Sequence, residues 1–221
     1  MRIEQLFTNP LVFILDILYL LPAILIGLSF HEAAHAYVAY KMGDSTAKNL
    51  GRLTLDPAKH IDPIGLLCLL LVGFGWAKPV PVNPNNYKNR REGEFLVSVA
   101  GVSMNFILGF FFTIVLALLY VFGWNNAIAV RIVSTIITIN FSLMVFNLLP
   151  IGPLDGMGII KSIFWKSSYK IDMFILKYNQ IITVVLIVLL VTGVIGYIIS
   201  GVVIAVQSSV HNLVFTIFGL I

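Results

Sequence analysis

The stretch FHEAAHA at residues 30–36 puts His31 and His35 four apart, with Glu32 between them. A helix turns about 100° per residue, so the two imidazoles share one face, a turn apart. Their ring nitrogens can take two adjacent corners of a tetrahedral zinc site. Glu32 is offset by one position. That places its carboxylate beside such a metal rather than on it, where it can take a proton from water activated there. All three side chains lie in an otherwise apolar run, and ionisable groups inside a membrane span are rarely kept without a partner or a task. The chemistry this spacing points to is metal-assisted hydrolysis.

A catalytic zinc takes three protein ligands and leaves a fourth position for water. Beyond Glu94 the acidic residues are Asp155 and Asp172, and the remaining histidines are His60 and His211. Asp155 lies in NLLPIGPLDGMG (147–158), where a long apolar span breaks at two prolines and three glycines. Inside a membrane such a break is tolerated only where protein or water can satisfy the freed backbone. Asp155 is therefore the favoured third ligand, reached from a different span than the histidines.

The elements that must bring these residues together are membrane-spanning. Of 221 residues 59% are hydrophobic and 11% charged, with a mean hydropathy of +0.97. Soluble domains carry about 25% charged residues, so this chain could not cover its own surface and is read as an integral membrane protein. Apolar segments fall at 11–42, 64–76, 95–123, 127–150 and 178–206, with a short apolar tail at 212–221. A crossing needs about 20 residues. The segment 64–76 is too short and carries glycines near its end, so it is expected to be re-entrant.

The basic residues support that reading. Lys41, Lys48, Arg52 and Lys59 follow the first span; Lys78, Lys88, Arg90 and Arg91 precede the second. Lys161, Lys166, Lys170 and Lys177 lie between the third and fourth. If 64–76 dips in and returns, all of these share one face, and only Arg2 and Arg131 lie on the other. The positive-inside rule makes the crowded face cytoplasmic and the N-terminus external. On this topology HEAAH and Asp155 both lie toward the cytoplasmic side. The first apolar segment has no clean cleavage site after it and is read as retained.

Two polar pieces, 47–56 and 78–84, are expected to be short strands or extended segments at the cytoplasmic face. Residues 156–177 read as a basic connector, with Ile159, Ile160, Ile163 and Phe164 marking an interfacial helix. The fold expected is an all-α polytopic membrane protein: about four to six transmembrane helices, a re-entrant segment and short membrane-associated β-strands, in a single domain over 1–221. The one cysteine, Cys68, excludes an intrachain disulfide. No basic arm interleaved with aromatics is present, which argues against nucleic acid as a partner.

HEAAH followed by NLLPIGPLDG, on separate spans and in that order, resembles the site-2 protease family of intramembrane zinc metalloproteases, in its compact bacterial and archaeal form. AGVSMN (100–105) is similar to that family's AGPxxN-like stretch, with Val102 where proline is usual. HIDPIG (60–65) is similar to the segment before its re-entrant region. The resemblance covers roughly residues 10–205. It implies one zinc per chain held by His31, His35 and Asp155, with Glu32 as general base. It implies that Asn147 orients substrate or stabilises an oxyanion, and that no PDZ-like or CBS-like domain is attached. The substrate implied is a membrane-spanning protein in the lipid bilayer of a bacterial inner membrane or an archaeal cell membrane. A regulatory membrane partner is left unidentified. A membrane metal-binding or transport protein using the same residues is the alternative. Asn105 and Asn140 are read first as interhelical hydrogen-bonding residues and His60 as a loop histidine bonded to backbone. His211 is placed on the far side, away from the metal, and Asp16, about four turns before His31, is left without an assigned role.

Overall fold

The computed structural model describes residues 6–73, 75–124 and 126–221. Arg2 lies outside them. Among the described residues, five helices are long and apolar enough to cross a membrane. They are α1 (Pro10–Lys41), α3 (Arg90–Val121), α4 (Ala127–Asn147), α6 (Ser168–Val191) and α7 (Val194–Ile217). Between them lie shorter helices, among them α2 (Pro63–Leu71) and α5 (Asp155–Ile163).

Helices α1, α3 and α4 pack against one another, α5 packs on α3, and α7 packs on α4 and α3. The core lies between α3, α4 and α7, around Leu116, Ala117, Phe141, Val145, Val203 and Val214. Small residues let the first helix in: Ala23, Gly27, Ala36 and Ala39 of α1 are all buried, and close backbone approach through such residues is how helices associate in lipid. Asp16 finds its explanation at the end of the bundle away from His31. The Arg131 guanidinium of α4 donates to it at 2.6 Å and also lies over the Tyr19 ring.

The expected single span at 178–206 is corrected to two helices. Thr192 and Gly193 interrupt it, and Gly193 adopts φ +76°, a left-handed conformation that glycine accepts without steric cost and that terminates a helix. The apolar composition runs unbroken through this turn, so hydropathy alone hid it. The tail 212–221 is mostly the last turns of α7 rather than a separate segment. The connector resolves into α5 and the first turns of α6, and α6 buries none of its residues.

The expected strands are also corrected. The only β-type pairing among the described residues is an isolated antiparallel bridge, Ile61 to Ala77. Residues 46–49 form a helical turn. Residues 78–83 form no regular element, and Pro79 and Pro81 have no N–H to give a ladder. The bridge and the bond from Lys78 N–H to the His60 carbonyl (2.8 Å) bring the two ends of the 62–76 segment together.

The loops on this side are tied by Asp44, which is fully buried. Its carboxylate accepts from the Thr46 N–H and hydroxyl, from Asn83 N–H (2.7 Å) and from the Asn86 amide (2.8 Å). Burial works against the charge, but these donors outweigh it and hold the carboxyl below its ordinary range. Its contribution is therefore complete above a pH of about 4 and is lost as pH falls through the lowered folded value. Asp44→Ala should cost about 2 kcal/mol at pH 7, read from the unfolding midpoint in detergent. The gap to wild type should narrow as the pH is taken below about 4. A gap that is independent of pH would contradict the role given to the charge.

Candidate metal centre

His31 and His35 lie on the buried face of α1, where it crosses α3. The face of α3 that meets them is built at four-residue spacing from Val97, Gly101 and Asn105. The Val97 carbonyl lies 2.8 Å from His35 Nδ1, and the Asn105 side-chain oxygen lies 2.7 Å from His31 Nδ1. A carbonyl oxygen only accepts, so both imidazoles carry their proton on Nδ1 and turn a lone pair outward on Nε2. Gly101 makes the approach possible: a Cβ there would collide with both rings.

Asp155 enters from the other side. Helix α4 ends at Asn147 ahead of Pro150, and the chain turns into α5, whose first residue is Asp155. Its Oδ2 lies 3.4 Å from each Nε2, and the two Nε2 atoms are 3.0 Å apart. Tetrahedral zinc with nitrogen and oxygen ligands separates them by about 3.3 Å. Asp155 Oδ2 is buried and has no hydrogen-bond donor. Three potential ligand atoms, two nitrogens and a carboxylate oxygen, thus converge at one buried point, close enough for a single cation to hold all three. The residues present fit a zinc ion.

Glu32 is buried beside this group and is not part of it. Its Oε2 accepts the Val80 N–H at 2.8 Å. Val80 belongs to the segment 77–83, which is fixed at both ends: Arg52 donates to the Lys78 carbonyl at 2.6 Å, and Asn83 N–H donates to Asp44. Asn147 is half-buried at the end of α4, with its amide donated to the Leu143 carbonyl. The other sequence candidates lie apart from the metal group. His60 is fully buried and donates through Nε2 to the Thr54 carbonyl (2.7 Å). Asp172 pairs with Lys161, and His211 stacks on Phe215.

Sequence reasoning missed Gly101, the Val97 carbonyl and the Val80 amide. The AGVSMN stretch carried the signal for the first. Backbone groups leave no mark in a sequence.

The description Peptidase family M50 matches residues 123–193, which include Asp155. "Putative zinc metalloprotease YwhC" of Bacillus subtilis (strain 168) is 45% identical over 150 residues, 66% of this chain and 68% of that protein. The chain belongs to peptidase family M50. Rip2 of Mycolicibacterium smegmatis, named in the same words as YwhC, is 32% identical over 69% of this chain and 60% of its own length. "Zinc metalloprotease MJ0392" of Methanocaldococcus jannaschii is 29% identical over 64% of this chain and 33% of its own length. No solved structure matches the chain. As an M50 peptidase it is a membrane zinc metalloprotease, and the transport alternative is set aside.

Gly101→Ala should empty the centre while leaving the bundle folded. Zinc per chain, by elemental analysis of protein purified in detergent, should fall well below the wild-type value. Wild-type zinc content in that variant would contradict the packing of α3 against the histidine rings.

Proposed function

We propose that this M50 peptidase hydrolyses peptide bonds of membrane-spanning proteins at a zinc site within the bilayer, in regulated intramembrane proteolysis. His31, His35 and Asp155 hold the metal. The convergence of their three ligand atoms carries this reading. Zinc, when bound, supplies Lewis acidity that polarises a scissile carbonyl and lowers the pKa of water.

Every other step falls to the chain. Glu32 takes the proton from the attacking water and delivers it to the leaving amine. The Val80 amide holds one of its oxygens, so the other is available for that transfer. Asn147 orients substrate or stabilises the developing oxyanion, and to do so its amide turns away from the Leu143 carbonyl. A helical substrate hides its amides in hydrogen bonds, so the segment to be cut must be extended. Residues 77–83 run past Glu32 and offer carbonyl acceptors for such a strand.

The whole chain, 1–221, acts as one domain. The 64–76 segment dips into the membrane and returns, a reading supported by the pairing of Ile61 with Ala77. The site faces the cytoplasm of a bacterial or archaeal cell, a reading supported by the crowding of Lys and Arg at that end. A membrane partner that gates the site is compatible with the exposed α6.

Glu32→Gln should retain zinc and lose proteolysis by at least about a hundredfold, measured on a transmembrane-segment substrate co-reconstituted in vesicles. Asp155→Ala should lose both zinc and activity. Substantial cleavage by Glu32→Gln would remove the base from this scheme, and full zinc in Asp155→Ala would remove the third ligand.

A further inference from the structure

Asn105 and Asn140 are wholly buried between α1, α3 and α4. Asn140 donates from Nδ2 to the carbonyl of Ile136 in its own helix, at 2.9 Å. A carbonyl can only accept, so this bond fixes which end of the amide is nitrogen and turns Oδ1 toward Asn105. Asn105 then faces two acceptors. Its Nδ2 donates to Asn140 Oδ1 at 3.0 Å and to the Gly27 carbonyl at 3.1 Å. Its own Oδ1 is left pointing at His31 Nδ1. The chain of bonds has one direction: two backbone carbonyls at its origin and the Nε2 lone pair of His31 at its end.

We propose that Asn105, locked by Asn140, is a positioning residue for the metal: it holds His31 as the Nδ1–H tautomer, in one ring orientation, and so sets the affinity of the site for zinc. The inference rests on the reading of His31 as a ligand. Neutral imidazole in water favours the proton on Nε2, the nitrogen that must be bare to bind. At a fully buried position no solvent replaces a missing acceptor, and an orphaned Nδ1–H would be costly. Groups that orient metal-bound histidines are worth about 10- to 100-fold in metal affinity. Asn140 touches neither metal nor histidine, yet it decides which way the Asn105 amide faces. It thereby couples α4 to a ligand on α1 through α3.

The test is zinc affinity of the full chain in detergent, by competition with a chelator. Asn105→Leu should bind zinc about 10- to 100-fold more weakly. Asn105→Asp keeps an acceptor toward His31 and should recover most of that loss, which a purely structural role would not predict. Asn140→Ala should show a smaller loss. In metal-free protein with ring-labelled histidine, nitrogen NMR should report the Nδ1–H tautomer for His31 in wild type and a shift toward Nε2–H in Asn105→Leu. Wild-type affinity and tautomer in Asn105→Leu would overturn the proposal. If that variant does not fold, unchanged affinity in Asn140→Ala, or no recovery in Asn105→Asp, overturns it instead. His31→Ala separates the two levels. Zinc retained there defeats the ligand reading itself, whereas zinc lost there but held by the asparagine variants defeats only this inference.

Discussion

A donor or acceptor buried in an apolar bundle has only the protein to turn to, and an unmet one costs free energy comparable to a lost hydrogen bond. Most of this site follows from that constraint. The Val97 carbonyl and Asn105 meet the two Nδ1 protons, and the Val80 amide meets one oxygen of Glu32. What remains after these pairings is a cluster of two Nε2 atoms and Asp155 Oδ2, the last without a donor of its own. The metal centre is the place where the hydrogen-bond accounting of the bundle is deliberately left open.

Leaving it open requires helices to pass very close to one another. Gly101 gives the rings room against α3, and the two asparagines cross the three-helix core where an apolar pair would have packed more simply. Buried polar groups contribute little net stability but restrict the ways a bundle can pack, because a sliding helix would strand them. The Arg131–Asp16 pair sets the far end of the same α1–α4 contact. The register of α1 is thus specified at both ends, which keeps His31 and His35 level with Asp155.

The group that could hold a metal was legible because side-chain chemistry at fixed spacing is written in the sequence: HEAAH on one helix, Asp155 at a Pro/Gly break. The number of long helices fell within the expected range, while the boundary at Gly193 did not show, since a left-handed turn inside an apolar run changes no composition. The prolines of 78–84 were legible, but the role of that segment was not. What it brings to the site is a backbone N–H, identical in every residue except proline. The part played by Asn105 lay between these cases. Its place in AGVSMN was visible, but the direction of its hydrogen bonds depends on the Gly27 and Ile136 carbonyls, which no pattern of residue types reveals.

Proline placement shows why the segment beside Glu32 holds a single register. Across residues 79–81 only Val80 carries an N–H, and that group is bonded to the glutamate. A slip of one residue in either direction would set a proline against the carboxylate and leave a buried charge without its donor. A non-helical edge in an otherwise helical protein is also a template for unwanted pairing. Missing amides at Pro79 and Pro81 deny a neighbouring chain the alternating donors a ladder needs, while carbonyls stay able to accept. Pro79 and Pro81, which remove donors from the segment, therefore also fix the register in which Val80 meets the proposed base.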